Sequence, residues 1–317
     1  MNAQLRLPEL DEQHRGSTTA SGAIAINSAP EAAAVCGARD LADAYAYCTK
    51  LARSHYENFT IASWLMPRAI RRHIHAIYAY ARIADDFADE DRSLTKLDEW
   101  QRELELAYAG APRHPVMVAV ADTARRFEIP PEPFLDLLKA FRSDVDFRGF
   151  ETADELLGYT RYSANPVGHL VLYLFGFRDV ERQRLADQIC TGLQLANFWQ
   201  DVGIDLAKGR IYFPRRDMER HGLTAEDLRL GQVNAKFIRL MRDEVLWTRE
   251  MLRAGAALST SVGRGLRRDV LMFVGGGLAI LRAIERVGYD VFRARPRLSK
   301  LDYVKLGWDA LGGRLQL

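Results

Sequence analysis

Residues 80–90 read YARIADDFADE, an apolar and aromatic run that ends in three aspartates. On a helix, positions i, i+3, i+4 and i+7 form one stripe, and here they are Arg82, Asp85, Asp86 and Asp89. The stripe continues backwards through apolar positions, which predicts that it faces the interior. Three buried carboxylates beside one arginine are unfavourable unless another charge compensates them. Oxygen ligands at one-turn spacing suit Mg²⁺, whereas a solvated acidic face where the helix ends is the plainer alternative.

A second stretch, LQLANFWQDVGIDLAKGRIYFP at 193–214, repeats this chemistry and makes the plainer alternative weaker. Its oxygen-bearing side chains recur every four residues, as Asn197, Asp201 and Asp205. Two such helices facing each other across a cavity would hold several divalent ions between them. Basic and hydroxyl groups suited to a diphosphate follow directly, namely Lys208, Arg210 and Tyr212.

The remaining sequence predicts an all-α protein. Of its 317 residues 48% are hydrophobic, and the net charge of +2 provides no broad field for nucleic acid. From Asp40 onward the apolar residues recur at helical spacing, without a composition shift that would divide the chain. We therefore expect a single helical domain over 38–317, after an extension, 1–37, that lacks periodicity and a secretory pattern and is predicted to be disordered. The three cysteines have no metal or disulfide spacing, which favours a reducing compartment.

Breaks rich in proline and glycine set the expected helix boundaries. The longest apolar run, 270–281, is shorter than the roughly 18 residues that a membrane-spanning helix needs. The spacing predicts helices near 40–57, 67–90, 95–109, 115–128, 132–146, 152–176, 181–206, 233–259 and 264–292.

On its motifs the sequence resembles the squalene and phytoene synthase family of head-to-head prenyl-diphosphate enzymes. The resemblance extends over roughly residues 45–300 and rests on HYENF (55–59), AIYAYARIADDFADE (76–90), YTRYSANPVGHL (159–170) and the NFWQD stretch. It implies a single-domain isoprenoid-synthase bundle of helices around a deep apolar cavity. It also implies two or three Mg²⁺ ions at the mouth of that cavity.

The resemblance assigns roles to individual residues. The metal ligands would be Asp85, Asp86, Asp89, Asn197, Asp201 and Asp205. Contacts to diphosphate or to the nearby isoprenoid would come from His55, Tyr56, Asn58, Phe59, Tyr78 and Arg82, with Lys208, Arg210 and Tyr212 joining them. The chain-binding channel would be lined by Ser163, Ala164, Val167, Gly168 and Gln194, and Tyr159 would border the reacting carbons. Structural roles are the alternative for several of these: core aromatics for Phe59 and Tyr78, a surface histidine for His55, and a buried hydrogen-bonded tyrosine for Tyr159.

Within the family, the sequence is most similar to the bacterial hydroxysqualene synthases of hopanoid pathways. These carbon–oxygen lyases convert presqualene diphosphate and water to hydroxysqualene and diphosphate through a rearranging carbocation. Gln200 stands where many members that condense two farnesyl diphosphates carry arginine, which agrees with a substrate that has one diphosphate. The group that holds the attacking water stays open between Glu57, Asn58, Tyr159 and Gln200. No nicotinamide cofactor is expected.

Two other functions are compatible with the sequence. One is a condensing squalene, dehydrosqualene or phytoene synthase that uses two prenyl diphosphates, and the other is a non-catalytic isoprenoid-binding module. An apolar substrate and product favour a cytoplasmic protein that contacts the inner membrane face peripherally and meets neighbouring pathway enzymes. The basic segments GRGLRR (263–268) and RARPRLSK (293–300) would meet anionic lipid, diphosphate or only solvent.

Overall fold

The computed structural model describes residues 38–54, 66–293, 295–298 and 302. Within these ranges all regular secondary structure is helical, and the predicted all-α fold is confirmed. The helices are α1 (Ala38–Ser54), α2 (Arg68–Asp89), α3 (Leu94–Tyr108), α4 (Pro115–Phe127), α5 (Glu132–Val145), α6 (Ala153–Ser163), α7 (Asn165–Leu174), α8 (Val180–Ala207), α9 (Arg215–Arg220), α10 (Ala225–Arg229), α11 (Ala235–Gly255), α12 (Leu258–Ser261) and α13 (Arg264–Arg286).

Several helices begin at a side chain that satisfies their first free N–H groups. Ser93 accepts a hydrogen bond from Lys96 N at the start of α3, and Asp179 accepts one from Arg182 N at the start of α8. Asn234 plays the same part for α11. Such caps contribute about 1 kcal/mol each and fix where the helix begins.

Three predicted helices differ from those observed, and one of them, predicted at 233–259, ends at Gly255 and is followed by the separate short helix α12. The segment predicted at 152–176 is two helices, because the chain breaks at Ala164, whose φ of −120° is not helical. Pro166 follows, and it lacks the N–H that would continue the preceding helix. The last helix ends at Arg286 rather than near 292, since Gly288 and Tyr289 adopt φ values of 63° and 65°.

The core is divided into two clusters of buried side chains. The N-terminal cluster is built mainly from α1 to α5, and the C-terminal cluster mainly from α8, α11 and α13. Helix α7 contributes to both, with Leu170 in the first and Leu172 in the second. Among the described residues three partly buried side chains pack against both clusters, and we call the boundary between the clusters that they mark the seam: Val171, Phe175 and Phe273.

None of the helices in the described ranges combines the length and the hydropathy needed to cross a bilayer.

Candidate active site

The two acidic motifs come together at one end of the bundle. The C-terminal end of α2 carries Asp89, and the turn after α8 carries Lys208 and Arg210. Arg210 Nη2 lies 2.6 Å from Asp89 Oδ1, and Lys208 Nζ lies 3.6 Å from Asp89 Oδ2. Gly209, with φ of 76°, allows the chain to reverse between the two cations. The structure therefore places the two predicted motifs face to face.

A polar cavity of about 650 Å³ opens between these helix ends, and we call it the mouth. Acidic and basic side chains of α2, α5 and the turn after α8 line it together. Its lining residues are Arg82, Asp85, Asp86, Ala88, Asp89, Glu90, Arg92, Asp144, Phe147, Lys208, Gly209 and Arg210.

On the α2 side of the mouth, one arginine serves several carboxylates. Arg82 lies 3.3 Å from Asp85 and 3.5 Å from Glu90, and it also forms an ion pair with Asp86. Burial, followed by the nearby charge of Asp89, raises the pKa of Asp85 to about 6 despite Arg82. The negative charge here exceeds what the protein itself compensates.

On the α8 side, an arginine beyond the last helix takes part. Arg295 Nη2 lies 2.9 Å from Asp201 Oδ2 and 3.5 Å from Asn197 Oδ1. Burial and then the charge of Asp201 raise the pKa of Asp205 to about 7. Arg295 was not among the predicted site residues, although it belongs to the basic segment 293–300, whose role the sequence left open.

Asp144 is a site residue that the sequence analysis missed. It lies near the end of α5, lines the mouth, and accepts hydrogen bonds from the Tyr159 hydroxyl at 2.9 and 3.2 Å. Burial raises the pKa of Asp144 to about 7, against the lowering effects of Tyr159 and Arg210. The same burial raises the pKa of Tyr159 well above its usual value. Tyr159 is thus a partly buried, hydrogen-bonded tyrosine that also reaches the mouth through its partner.

Aromatic rings lie directly beside this pair. Phe198 and Tyr212 stack with their centroids 3.8 Å apart, and Phe150 lies 5.4 Å from Tyr159. Tyr159 lies 6.3 Å from both Phe198 and Tyr212. We call the five rings the aromatic group: Phe147, Phe150, Tyr159, Phe198 and Tyr212. Such a group offers π faces that stabilise positive charge.

The predicted channel residues lie on α6, α7 and α8, behind the mouth. Val167 is partly buried against the N-terminal cluster, and Gln194 is partly buried on α8. Gly168 allows close packing, since a Cβ there would lie 2.7 Å from Cys190 Sγ. Ala164 is buried at the break between α6 and α7, and the hydroxyl of Ser163 is buried as well.

Two further predicted residues occupy distinct positions. Tyr78 is partly buried on α2, one turn before Arg82, and burial raises its pKa. Gln200 is buried and donates a hydrogen bond to the backbone oxygen of Pro296. The predicted residues of the HYENF stretch, His55, Tyr56, Glu57, Asn58 and Phe59, lie outside the described residues.

The donor set at the mouth fits Mg²⁺. Among the described residues no three His, Cys, Asp or Glu side chains are arranged as ligands of one ion. Mg²⁺ does not need such a group, because it is usually held by one or two carboxylates, water and substrate phosphate. Burial, followed by the charge of a neighbouring carboxylate, raises the pKa values of Asp85 and Asp205, and a bound cation would offset both effects.

Comparison with known proteins gives concordant matches. A family model described as squalene/phytoene synthase matches residues 52–302. A phytoene synthase of Arthrospira platensis is 32% identical over 270 residues, which are 80% of this chain and 87% of the relative. Among solved structures, the squalene synthase HpnC from Alicyclobacillus acidocaldarius matches with a TM-score of 0.77 and 40% identity, over 80% of this chain and 97% of that one. A dehydrosqualene synthase in complex with ligand matches with a TM-score of 0.81 and 25% identity, over 87% and 98% of the two chains.

Proposed function

The chain belongs to the squalene/phytoene synthase family, and from this premise we propose that it converts presqualene diphosphate and water to hydroxysqualene and diphosphate. One observation carries the proposal: a mouth lined by acidic and basic groups adjoins an aromatic group through the hydrogen bond from Tyr159 to Asp144. The mouth suits a diphosphate leaving group, and the rings suit the cation that remains. The 40% identity with a solved squalene synthase adds support.

In this proposal Mg²⁺ is the resident cofactor, and when bound it neutralises the leaving diphosphate. The residues that would hold it are Asp85, Asp86, Asp89, Asn197, Asp201 and Asp205. Arg82, Lys208 and Arg210 would turn from their carboxylate partners to the diphosphate oxygens. Preorganised cations of this kind stabilise charge that develops in the transition state, which is the largest contribution in many enzymes.

Departure of diphosphate takes the electron pair of the C–O bond and leaves a carbocation on the hydrocarbon. The aromatic group would stabilise this cation, and its burial would exclude stray water while the carbon skeleton rearranges. Phe198 and Tyr212 are well suited because they are buried and stacked, so their faces are held in place.

Capture by water needs one solvent molecule and a group that accepts its proton. We propose that Asp144 accepts the proton, because its pKa of about 7 lets it exchange protons near neutral pH. Water oxygen bonds to the cationic carbon, its proton passes to Asp144, and the proton then leaves with the diphosphate. Tyr159 positions Asp144, while Glu57, Asn58 and Gln200 remain candidates for holding the water.

A condensing synthase that joins two prenyl diphosphates is the second candidate, because the curated relatives at about 30% identity are phytoene synthases. Gln200 favours the first candidate, since it is neutral where many condensing members carry arginine. Substitution Gln200→Arg should then shift the enzyme towards a second diphosphate. Unchanged substrate preference would count against this argument.

The test is product analysis. The purified protein is incubated with Mg²⁺ and, separately, with presqualene, farnesyl or geranylgeranyl diphosphate, without nicotinamide, and products are identified by mass spectrometry. We expect hydroxysqualene from presqualene diphosphate only. Consumption of farnesyl or geranylgeranyl diphosphate would identify a condensing synthase, and no reaction with any substrate would favour an isoprenoid-binding module.

The location of the protein follows from the same chemistry. A strongly apolar substrate and product are partitioned into lipid, so we propose that a cytoplasmic enzyme contacts the membrane face peripherally. Co-sedimentation with anionic vesicles, with and without salt, would test this.

A further inference from the structure

Asp269, near the start of α13, is a buried carboxyl group that nothing in the site uses. The residue is 2% exposed, and neither side-chain oxygen has a hydrogen-bond partner in the described part of the chain. The charge of Arg268, its neighbour, acts on it only through space. Leaving a buried polar group without partners is costly, so a residue of this kind needs an explanation beyond packing.

The side of α13 that carries Asp269 faces the seam. At about 100° per residue, Asp269, Phe273 and Gly276 fall within one narrow arc of the helix. Phe273 packs against both core clusters, and a Cβ at Gly276 would meet no atom within 4 Å. One turn earlier, a Cβ at Gly265 would lie 3.7 Å from the ring of Phe175, which borders the seam. The carboxyl group therefore lies on a stripe that contacts the seam and has open space beside Gly276.

Asp269 lies at the end of the seam opposite the mouth. Helices α8 and α13 run in the same direction, because Arg182 donates to Ser261 O before α13, and Gly277 packs on Leu193 in its middle. Asp269 is eight residues before Gly277, and Asp201 is eight residues after Leu193. At about 1.5 Å per residue, Asp269 and Asp201, one of the proposed metal ligands, are about 24 Å apart along the bundle. This distance matches an extended isoprenoid chain attached to a diphosphate rather than a small metabolite.

We infer that Asp269 forms the inner limit of the chain-binding channel and sets the length of isoprenoid that the protein accepts. The inference rests on the proposed function, because it assumes that the diphosphate lies in the mouth. When the bound isoprenoid chain ends before Asp269, water would form hydrogen bonds to the carboxyl group. A chain one isoprene unit longer would displace this water and offer only carbon and hydrogen, so the carboxyl group would lose its hydrogen bonds. Longer chains are thereby rejected at the end far from the chemistry.

Binding measurements test this without requiring turnover. Affinities for the unreactive thiolodiphosphates of farnesol and geranylgeraniol are measured by calorimetry in Mg²⁺ with the full chain and with D269A and D269N. We expect the unsubstituted protein to prefer the shorter chain, and D269A to reduce that preference about tenfold, as loss of one unsatisfied polar group predicts. D269N keeps the polarity and size, and should keep the preference within about twofold.

Each outcome decides the matter. An equal preference in all three proteins, or a preference of the unsubstituted protein for the longer chain, would overturn the inference. Because removing an unpaired buried carboxyl relieves a cost, D269A should unfold at the same or a higher temperature, and a large decrease would indicate a structural role instead. Turnover of presqualene diphosphate by the unsubstituted protein is measured in parallel. Failure of that reaction with an intact difference in binding would reject the proposed function alone.

Discussion

Two clusters of polar side chains in this protein both combine aspartates with arginines, yet they reach opposite electrostatic states. In the first, which we call the buried network, the Tyr45 hydroxyl donates to Asp122 at 2.8 Å and lies 2.9 Å from His73 Nδ1. His73 Nδ1 also lies 2.9 Å from the Thr123 hydroxyl. The network joins α1, α2 and α4. Both carboxylate oxygens of Asp122 accept hydrogen bonds, and the other polar groups of the network also have partners.

The second cluster is the mouth, and the pKa values separate the two. Although burial opposes its charge, hydrogen bonds from Tyr45, Arg125 and Arg126 lower the pKa of Asp122. Burial and neighbouring carboxylates instead raise the pKa of Asp85, in the mouth, to about 6 and that of Asp205, beside the mouth, to about 7. A carboxylate whose charge the protein satisfies serves the fold. A carboxylate whose charge the protein leaves uncompensated is available to bind a ligand. Substitutions in the buried network should therefore change stability, and substitutions at the mouth should change activity.

The largest expected effect is on activity, at the mouth. Asp85→Asn removes a predicted metal ligand from a crowded set, so diphosphate release should decrease at least about 100-fold. The free energy of unfolding in urea should stay the same or rise slightly, because repulsion between carboxylates is relieved. Asp136→Asn, which removes a surface pair with Lys139, is the control and should change neither quantity. Loss of stability in Asp85→Asn would contradict the comparison.

Removal of the central carboxylate of the buried network should have the opposite result. Asp122→Ala leaves Tyr45, Arg125 and Arg126 without their shared acceptor, at a cost of about 3 kcal/mol of unfolding free energy. Urea denaturation measures this directly. Diphosphate release per folded molecule should be unchanged, and a specific loss of activity at full folding would show that the network serves the site.

The buried network should also make stability depend on pH. Burial and the charge of Arg72 lower the pKa of His73 to about 4, below the usual value near 6.5. Its contribution is therefore fully present above about pH 6.5 and is lost as the pH falls towards 4, since the unfolded state binds the proton first. Between pH 7 and pH 5 the loss should be about 2 kcal/mol. His73→Asn should remove that part of the dependence, and an unchanged slope in the variant would assign it elsewhere.

A smaller effect is expected where the mouth meets the aromatic group. Tyr159→Phe keeps the ring but removes the hydrogen bond to Asp144, so kcat should decrease about tenfold with little change in stability. The pH profile of kcat/KM should change as well, since Asp144 loses a group that favours its ionised form. A tenfold loss without any change in the pH profile would indicate that Tyr159 acts through its ring alone.

Much of this could be predicted from the sequence, because helical periodicity and acidic stripes are local. The positions of α2 and α8 and the acidic stripes on them follow from patterns within single helices, and the shared chemistry of the two motifs led to the expectation that they face each other. The pairings of Asp144 with Tyr159 and of Arg295 with Asp201 depend on tertiary packing between segments without a motif. Asp269 begins an otherwise apolar run, so its isolation from hydrogen-bond partners is visible only in the folded chain.

The most direct test of the central claim is to carry out the reaction with presqualene diphosphate in ¹⁸O-labelled water and to locate the label. If the mouth binds diphosphate as a leaving group from carbon, the ¹⁸O will be in hydroxysqualene and absent from the released diphosphate. Label in the diphosphate or phosphate product, with an unlabelled alcohol, would mean cleavage at phosphorus. That result would contradict the assignment of the mouth and the aromatic group as one site for carbocation chemistry.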